Sequence, residues 1–311
     1  MRSIAKLMKD WQFTGPDGVT AAVELPHTWN AVDGQDGGND YWRGACTYRT
    51  RFAAPAYDPA QQQVWLQFEG VNASATVLLN GQQLCTHDGG YSIFRAEITG
   101  LLQAENQLTV QVDNSVNDRV YPQKADFTFY GGIYRDVSLL VVNKNHIALG
   151  HFGDTGVKIT PTLKEGSADI QVETLVEGEG TVAVELLDAE GSIVAKGEGE
   201  NASLHLDAPH LWNGVKDPYL YTCVVRLVED GKPVDEVTTK VGLRSFSVDA
   251  KKGFFLNGKP YPLHGVSRHQ DRKGLGNAIT REMHDEDMAL IREMGANGRY
   301  AVLCPHPCQK L

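Results

Sequence analysis

At 311 residues, with 41% apolar and 22% charged residues, the sequence has the bulk for two or three domains with sizeable cores. A net charge of −10 argues against a nucleic-acid or anionic-membrane partner, which would need clustered Lys and Arg; a solvated acidic surface is the simpler account. No stretch has the apolar length of a signal peptide or a membrane span, and five scattered cysteines (Cys46, Cys85, Cys223, Cys304 and Cys308) suit free thiols in a reducing cytoplasm.

From about Trp11 to Val142 the pattern is of β type. Val64–Phe68, Ala75–Leu79, Leu108–Val112 and Val137–Val142 read as short strands separated by turn signals. Asn80-Gly81 predicts a tight hairpin, because both turn residues must take positive φ. Many short strands without a convincing helix predict an antiparallel sandwich, a jelly roll, over residues 1–146. Residues 147–247 carry a second set, including Ala168–Glu173, Thr181–Leu186 and Tyr221–Leu227, whose number and length fit an immunoglobulin-like sandwich.

Residues 248–311 change character. The run Tyr261-Pro262-Leu263-His264-Gly265-Val266 passes into Ser267-Arg268-His269-Gln270-Asp271, a loop with Gly274 and Gly276, and a helical pattern from Ile279 to Met294. Strand, polar loop and helix form the opening unit of a parallel β/α array, which carries its chemistry at the carboxyl ends of strands. Acids Glu282 and Asp285 suit the helix N-terminus and Gly295 its stop; Met283, Leu290, Ile291 and Met294 lie close to one face, the methionines as core packing.

The order and spacing of several short motifs give the chain an identifiable likeness. They are Leu25-Pro26-His27-Thr28-Trp29, Gly89-Gly90-Tyr91, Gly131-Gly132-Ile133-Tyr134-Arg135-Asp136-Val137, Leu211-Trp212 with Pro218-Tyr219-Leu220-Tyr221, and the stretch around His269. To about Asn297 the chain resembles glycoside hydrolase family 2, the β-galactosidase and β-glucuronidase family. The resemblance implies a mainly β fold: a jelly-roll sugar-binding sandwich and an immunoglobulin-like sandwich, then an incomplete start of a (β/α)8 barrel. It also implies retaining hydrolysis of terminal β-galactosides, with β-glucuronides or β-galacturonides next, and a homo-oligomer in the full-length parent. The competing class is a non-catalytic carbohydrate-binding module.

Retaining hydrolysis needs two carboxyl groups about 5 Å apart. The family carries its acid/base in an Asn-Glu pair on a later barrel strand and its nucleophile on a strand beyond that. This sequence contains no Asn-Glu dipeptide, and 66 residues run from Phe246 to Leu311, whereas a whole barrel takes about 250. The expectation is therefore no catalytic residue and no turnover by this chain. After Asn297 the text departs from the family pattern, for which a frameshift or premature stop is one account. Such a stranded unit would leave Leu290, Ile291 and Met294 without partners and the segment past about residue 250 mobile.

For substrate binding the resemblance points to Asp126, six residues before Gly132, and to His269 at the end of the first barrel strand. Asn39 and Asp40 resemble a second sugar-approaching loop, although turn formation accounts for them almost equally well; Asp271 is an open candidate. Arg268 is expected to support the barrel floor or a carboxylate there, Arg135 and Asp136 to pack and pair between domains. Glucuronide specificity needs a cation for the sugar carboxylate, which the family normally places late in the barrel. No cofactor is expected in this chain; a divalent cation belongs to the full-length parent, with barrel ligands outside this sequence. Cys304, His306 and Cys308 fit no common zinc spacing.

Overall fold

The computed structural model describes residues 1–33, 42–122 and 127–301. In Ala45–Ala53 and Glu105–Asp113, alternate residues are buried, sending Cys46, Tyr48 and Phe52 and Leu108, Val110 and Val112 to the core. The two strands pair antiparallel at the centre of a six-stranded sheet, flanked by Trp11–Thr14 and Thr20–Val23 on one side and Ser74–Leu79 and Gln82–Asp88 on the other. A four-stranded sheet of Ser3–Lys6, Val137–Asn143, Gln62–Phe68 and Phe94–Glu97 packs against it, and Trp11, Tyr48, Leu66 and Leu108 are fully buried in the shared core. Asn80 and Gly81 take φ of 52° and 84°, as the hairpin between Ser74–Leu79 and Gln82–Asp88 requires.

Val137–Asn143 is buried at every position up to Val142, Ser138 included, because both of its faces are covered. Leu139 and Val141 join the first core, while Leu140 and Val142 pack with Leu149 and Trp65 on the opposite face. The second sandwich lies beyond. Val157–Lys164, Ser167–Thr174 and Asn201–Asp207 form one of its sheets, and Ile193–Glu198, Thr181–Leu187, Tyr221–Glu229 and Lys232–Val241 the other. Ile170, Leu186, Leu227 and Leu243 fill its core. Arg2 joins the two sandwiches: its Nε and Nη2 donate to Asp235 Oδ1 and Oδ2 at 2.8 and 2.6 Å. Asp235 is fully buried and also accepts from the Ile147 N–H at 2.8 Å. A buried carboxylate is tolerated there because charged and backbone donors replace its water.

The chain then forms a small meander, Phe246–Asp249, Gly253–Leu256 and Lys259–Pro260. Gly265–Arg268 pairs in parallel with Gly298–Ala301 across the helix Arg281–Glu293, which is a β/α unit. The strand begins later than the apolar run suggests, since residues 261–264 lie outside any strand. The helix begins after Thr280, with Ala278 and Ile279 buried in the approach to it, and Gly295 closes it at φ 80°. The reading of its methionines as core packing is corrected: the helix buries none of its residues, Leu290 is 54% exposed and Met294 is 74% exposed.

Candidate functional site

A cavity of about 60 Å3 opens where the first sandwich meets the β/α unit. Tyr91, Phe127, Tyr130, Tyr134 and Arg135 line it from the sandwich, and His269, Gln270, Asp271, Asn277 and His284 from the other side.

The sandwich wall is hung on three asparagines, Asn30, Asn72 and Asn114, all essentially buried. Asn114 Nδ2 donates to the Phe129 carbonyl at 2.8 Å and Asn72 Nδ2 to the Tyr130 carbonyl at 2.5 Å, while Asn30 Oδ1 accepts the Gly131 N–H at 2.8 Å. Thr28 Oγ1 adds a bond to the Gly131 carbonyl at 2.7 Å. An irregular buried backbone segment needs such side-chain partners, because no ladder satisfies it. At Gly132, φ is 138° and an added Cβ would run into the His27 carbonyl oxygen and lie 2.9 Å from the Tyr48 hydroxyl, so only glycine fits.

On the opposite wall, Asp271 Oδ2 accepts the Tyr130 hydroxyl at 3.1 Å, a direct bond between sandwich and β/α unit. The turn behind it closes through Arg272 N–H to the Gly276 carbonyl at 3.0 Å. Gly276 is buried at φ 54°, where a Cβ would sit 2.8 Å from the Tyr130 ring, so the turn packs directly on that tyrosine. The His269 imidazole stands edge-on to Phe127 with ring centroids 6.2 Å apart.

Beneath this wall Arg268, 7% exposed, donates through Nε to Asp287 Oδ2 at 2.9 Å and approaches His284 Nδ1 at 3.1 Å. A guanidinium only donates, so Nδ1 is the acceptor and the ring proton sits on Nε2. Arg272 also bonds Asp287, at 2.9 Å, and Glu286, at 2.8 Å. Burial opposes charge on Asp287, but the bonds and charges of the two arginines outweigh it and hold the carboxyl below its usual range.

Of the residues expected at a sugar, the structure brings His269 and Asp271 to one cavity; Asn39, Asp40 and Asp126 lie outside the described residues, as do Cys304, His306 and Cys308. Arg268 does hold a carboxylate, that of Asp287. The pairing expected of Arg135 and Asp136 between domains is corrected. Asp136 binds Lys6 of the same sandwich at 2.6 Å, and Arg135 has no carboxylate partner among the described residues, its guanidinium lying 5.2 Å from the Tyr134 ring centroid. The asparagines were not legible in advance, since an Asn at a strand end reads equally as a turn former.

Chemically the cavity offers a carboxylate to accept hydroxyl hydrogens, two imidazoles, two amides, a guanidinium and aromatic faces, a set suited to a sugar. Asp271 is the one carboxylate lining it among the described residues, so no facing pair of acids is present there. No group of three or more His, Cys, Asp or Glu among the described residues could hold a metal ion, and no helix among them is long and apolar enough to cross a membrane.

Matches to family models cover most of the chain. The glycosyl hydrolase 2 galactose-binding domain-like model matches residues 38–162, the glycosyl hydrolases family 2 model residues 151–244, and its TIM barrel model residues 247–307. The chain belongs to glycosyl hydrolase family 2. It is 38% identical to a β-glucuronidase of Bacteroides fragilis over 94% of this chain and 45% of that protein. It is 31% identical to a β-galactosidase of Bacteroides ovatus over 96% of this chain and 38% of that one. Among solved structures, an FMN-binding β-glucuronidase from Faecalibacterium prausnitzii superposes with a TM-score of 0.95 at 38% identity, over 99% of this chain and 50% of the other. The chain thus spans about half or less of the length of these relatives.

Proposed function

We propose that the chain is the sugar-recognising N-terminal portion of a retaining β-glycosidase acting on terminal β-glucuronides. The observation that carries this reading is the cavity in which His269 and Asp271, just after the strand Gly265–Arg268, face Phe127 and Tyr130 of the jelly roll. The names of the similar proteins, β-glucuronidases more often than β-galactosidases, favour the uronide over the galactoside first expected. A β-galactoside is the second reading, supported by the similarity to the B. ovatus enzyme. In the longer protein Asp126, Asn39 and Asp40 would complete the sugar contacts. The two catalytic carboxylates would come from outside this sequence, so the chain by itself is expected to bind without turnover.

Saturation-transfer NMR of the 311-residue chain with methyl β-glucuronide tests the reading, with p-nitrophenyl β-glucuronide and β-galactoside assays alongside. Sugar contact that weakens in Asp271→Asn and His269→Ala is expected, with no sustained release of nitrophenol. Absence of any sugar contact, or sustained hydrolysis, would overturn it.

A further inference from the structure

The second sandwich has a groove of about 420 Å3 where both of its sheets come to an end. Val157–Lys164 is the last strand of one sheet and Lys232–Val241 the last of the other. A volume of that order falls in the range that takes small ligands, roughly 300–1,000 Å3. Val157, Ile159 and Pro161 line it, three half-buried residues that share the inward face of their strand. Lys240, Arg244 and Phe246 line it from the end of the other edge strand and the segment beyond. Phe246 is stacked on Phe254, with ring centroids 6.1 Å apart, and is nevertheless 70% exposed. An aromatic ring held in place beside an apolar groove and left in water is the kind of surface that binding sites offer.

The charges narrow the ligand. The chain carries a net charge of −10, yet no acidic side chain lines this groove among the described residues. On the edge strand itself, Lys158 rests on Glu173 at 2.8 Å and Lys164 rests on Asp169. Lys240 and Arg244 have no carboxylate partner among the described residues. Lys240 Nζ donates to Thr222 Oγ1 at 2.6 Å, and Arg244 Nη1 donates to the Gly242 carbonyl at 3.3 Å, its guanidinium lying 5.0 Å from the Trp212 ring centroid. Single unpaired cations on a surface are ordinary. Two of them beside one acid-free apolar groove are complementary to a ligand with an apolar body and an anionic end. An extended peptide pairing with a sheet edge is the other occupant such a seam could take. Pro161 opposes it, because it has no N–H to give an added strand.

We propose that this groove is a binding site for a small planar aromatic carboxylate, with its rings against Phe246, Val157 and Ile159 and its carboxylate received by Lys240 and Arg244. The assignment stands on the second sandwich and is independent of the sugar reading.

The test is an amide proton–nitrogen NMR titration of the full chain with naphthoate, its neutral analogue naphthamide, and acetate. Shifts confined to residues 157–161 and 239–246 are expected. Naphthoate should bind about tenfold more tightly than naphthamide, as charge-assisted contacts allow. In the double variant Lys240→Gln, Arg244→Gln the two naphthalenes bind alike, and Phe246→Ala weakens both about fivefold. Lys240→Gln alone, which leaves Arg244 on Trp212, weakens naphthoate about threefold and leaves naphthamide unchanged. Near-ultraviolet circular dichroism checks that the variants keep the wild-type fold. Absence of shifts, or shifts centred on the exposed Leu290 and Met294 of the helix, overturns the proposal. Equal binding of naphthoate and naphthamide makes the groove a bare apolar face, and acetate binding as tightly as naphthoate makes it a bare anion site; either overturns the proposal, as does a preference for naphthoate that survives the double variant.

Discussion

In the first sandwich Trp11, Tyr48, Leu66 and Leu108 are fully buried, whereas the helix of the β/α unit buries none of its residues and leaves Met294 74% exposed. The sandwich is held by apolar area removed from water, about 25 cal/mol per Å2. The β/α unit is braced internally by Arg268 and Arg272 on Asp287, and it meets the sandwich through the Tyr130–Asp271 bond and the Gly276 turn packed on the Tyr130 ring. The difference teaches that the candidate site sits on a boundary between a stiff wall and a tethered one. Its geometry depends on a few named bonds as much as on packing. Perturbing each side separately is the way to test this.

The largest effect is expected at Gly132. Gly132→Ala forces a Cβ onto the His27 carbonyl and the Tyr48 hydroxyl at a φ of 138°. A cost of at least about 3 kcal/mol is expected, because the strain falls on a rigid core. Denaturant unfolding of the first sandwich should show it. A loss below about 1 kcal/mol would mean that the wall yields more readily than its burial implies.

His27 sharpens the contrast through pH. Burial lowers its pKa from 6.5 to about 4, and its Nδ1 lies 2.7 Å from the Tyr48 hydroxyl. The folded form therefore resists a proton that the unfolded chain accepts. Its stabilising contribution is complete above the unfolded value near 6.5, declines as pH falls towards about 4, and is then exhausted. The loss across that window should approach about 3 kcal/mol. Subtracting the stability curve of His27→Gln isolates it from the carboxylates, and parallel curves for the two proteins would refute the burial argument.

The two regions also differed in how far the sequence disclosed them. Strands such as Ala75–Leu79 and Thr181–Leu186 were legible because one face meets a core and the other meets water, so their alternation is local information. Val137–Val142 was legible as a strand, but its burial on both faces came only with the fold. His269 and Asp271 could be singled out from their neighbours in the chain, but their facing of Phe127 and Tyr130 could not, since more than 130 residues separate the two walls. That Arg135 has no carboxylate partner among the described residues was equally hidden. An arginine beside an aspartate invites an ion-pair reading, and only the fold shows that Asp136 turns to Lys6.

Asp287 carries the smallest and most local expectation. Its carboxylate, 24% exposed, collects Arg272, 29% exposed and screened by water, and Arg268, which at 7% exposure is not. Asp287→Ala should therefore cost about 2 kcal/mol, because it strands the buried Arg268, and concentrate that loss in the helix Arg281–Glu293, which has no buried apolar residue to fall back on. Amide exchange there should rise by the corresponding factor while protection in Ala45–Ala53 and Glu105–Asp113 stays constant. The released Arg268 also frees His284 Nδ1, so the tautomer at the cavity wall should become mixed, a change that 15N shifts of the imidazole report. Faster exchange spread evenly over helix and sandwich would show that the two regions open together, and the division between a packed wall and a tethered one would fail.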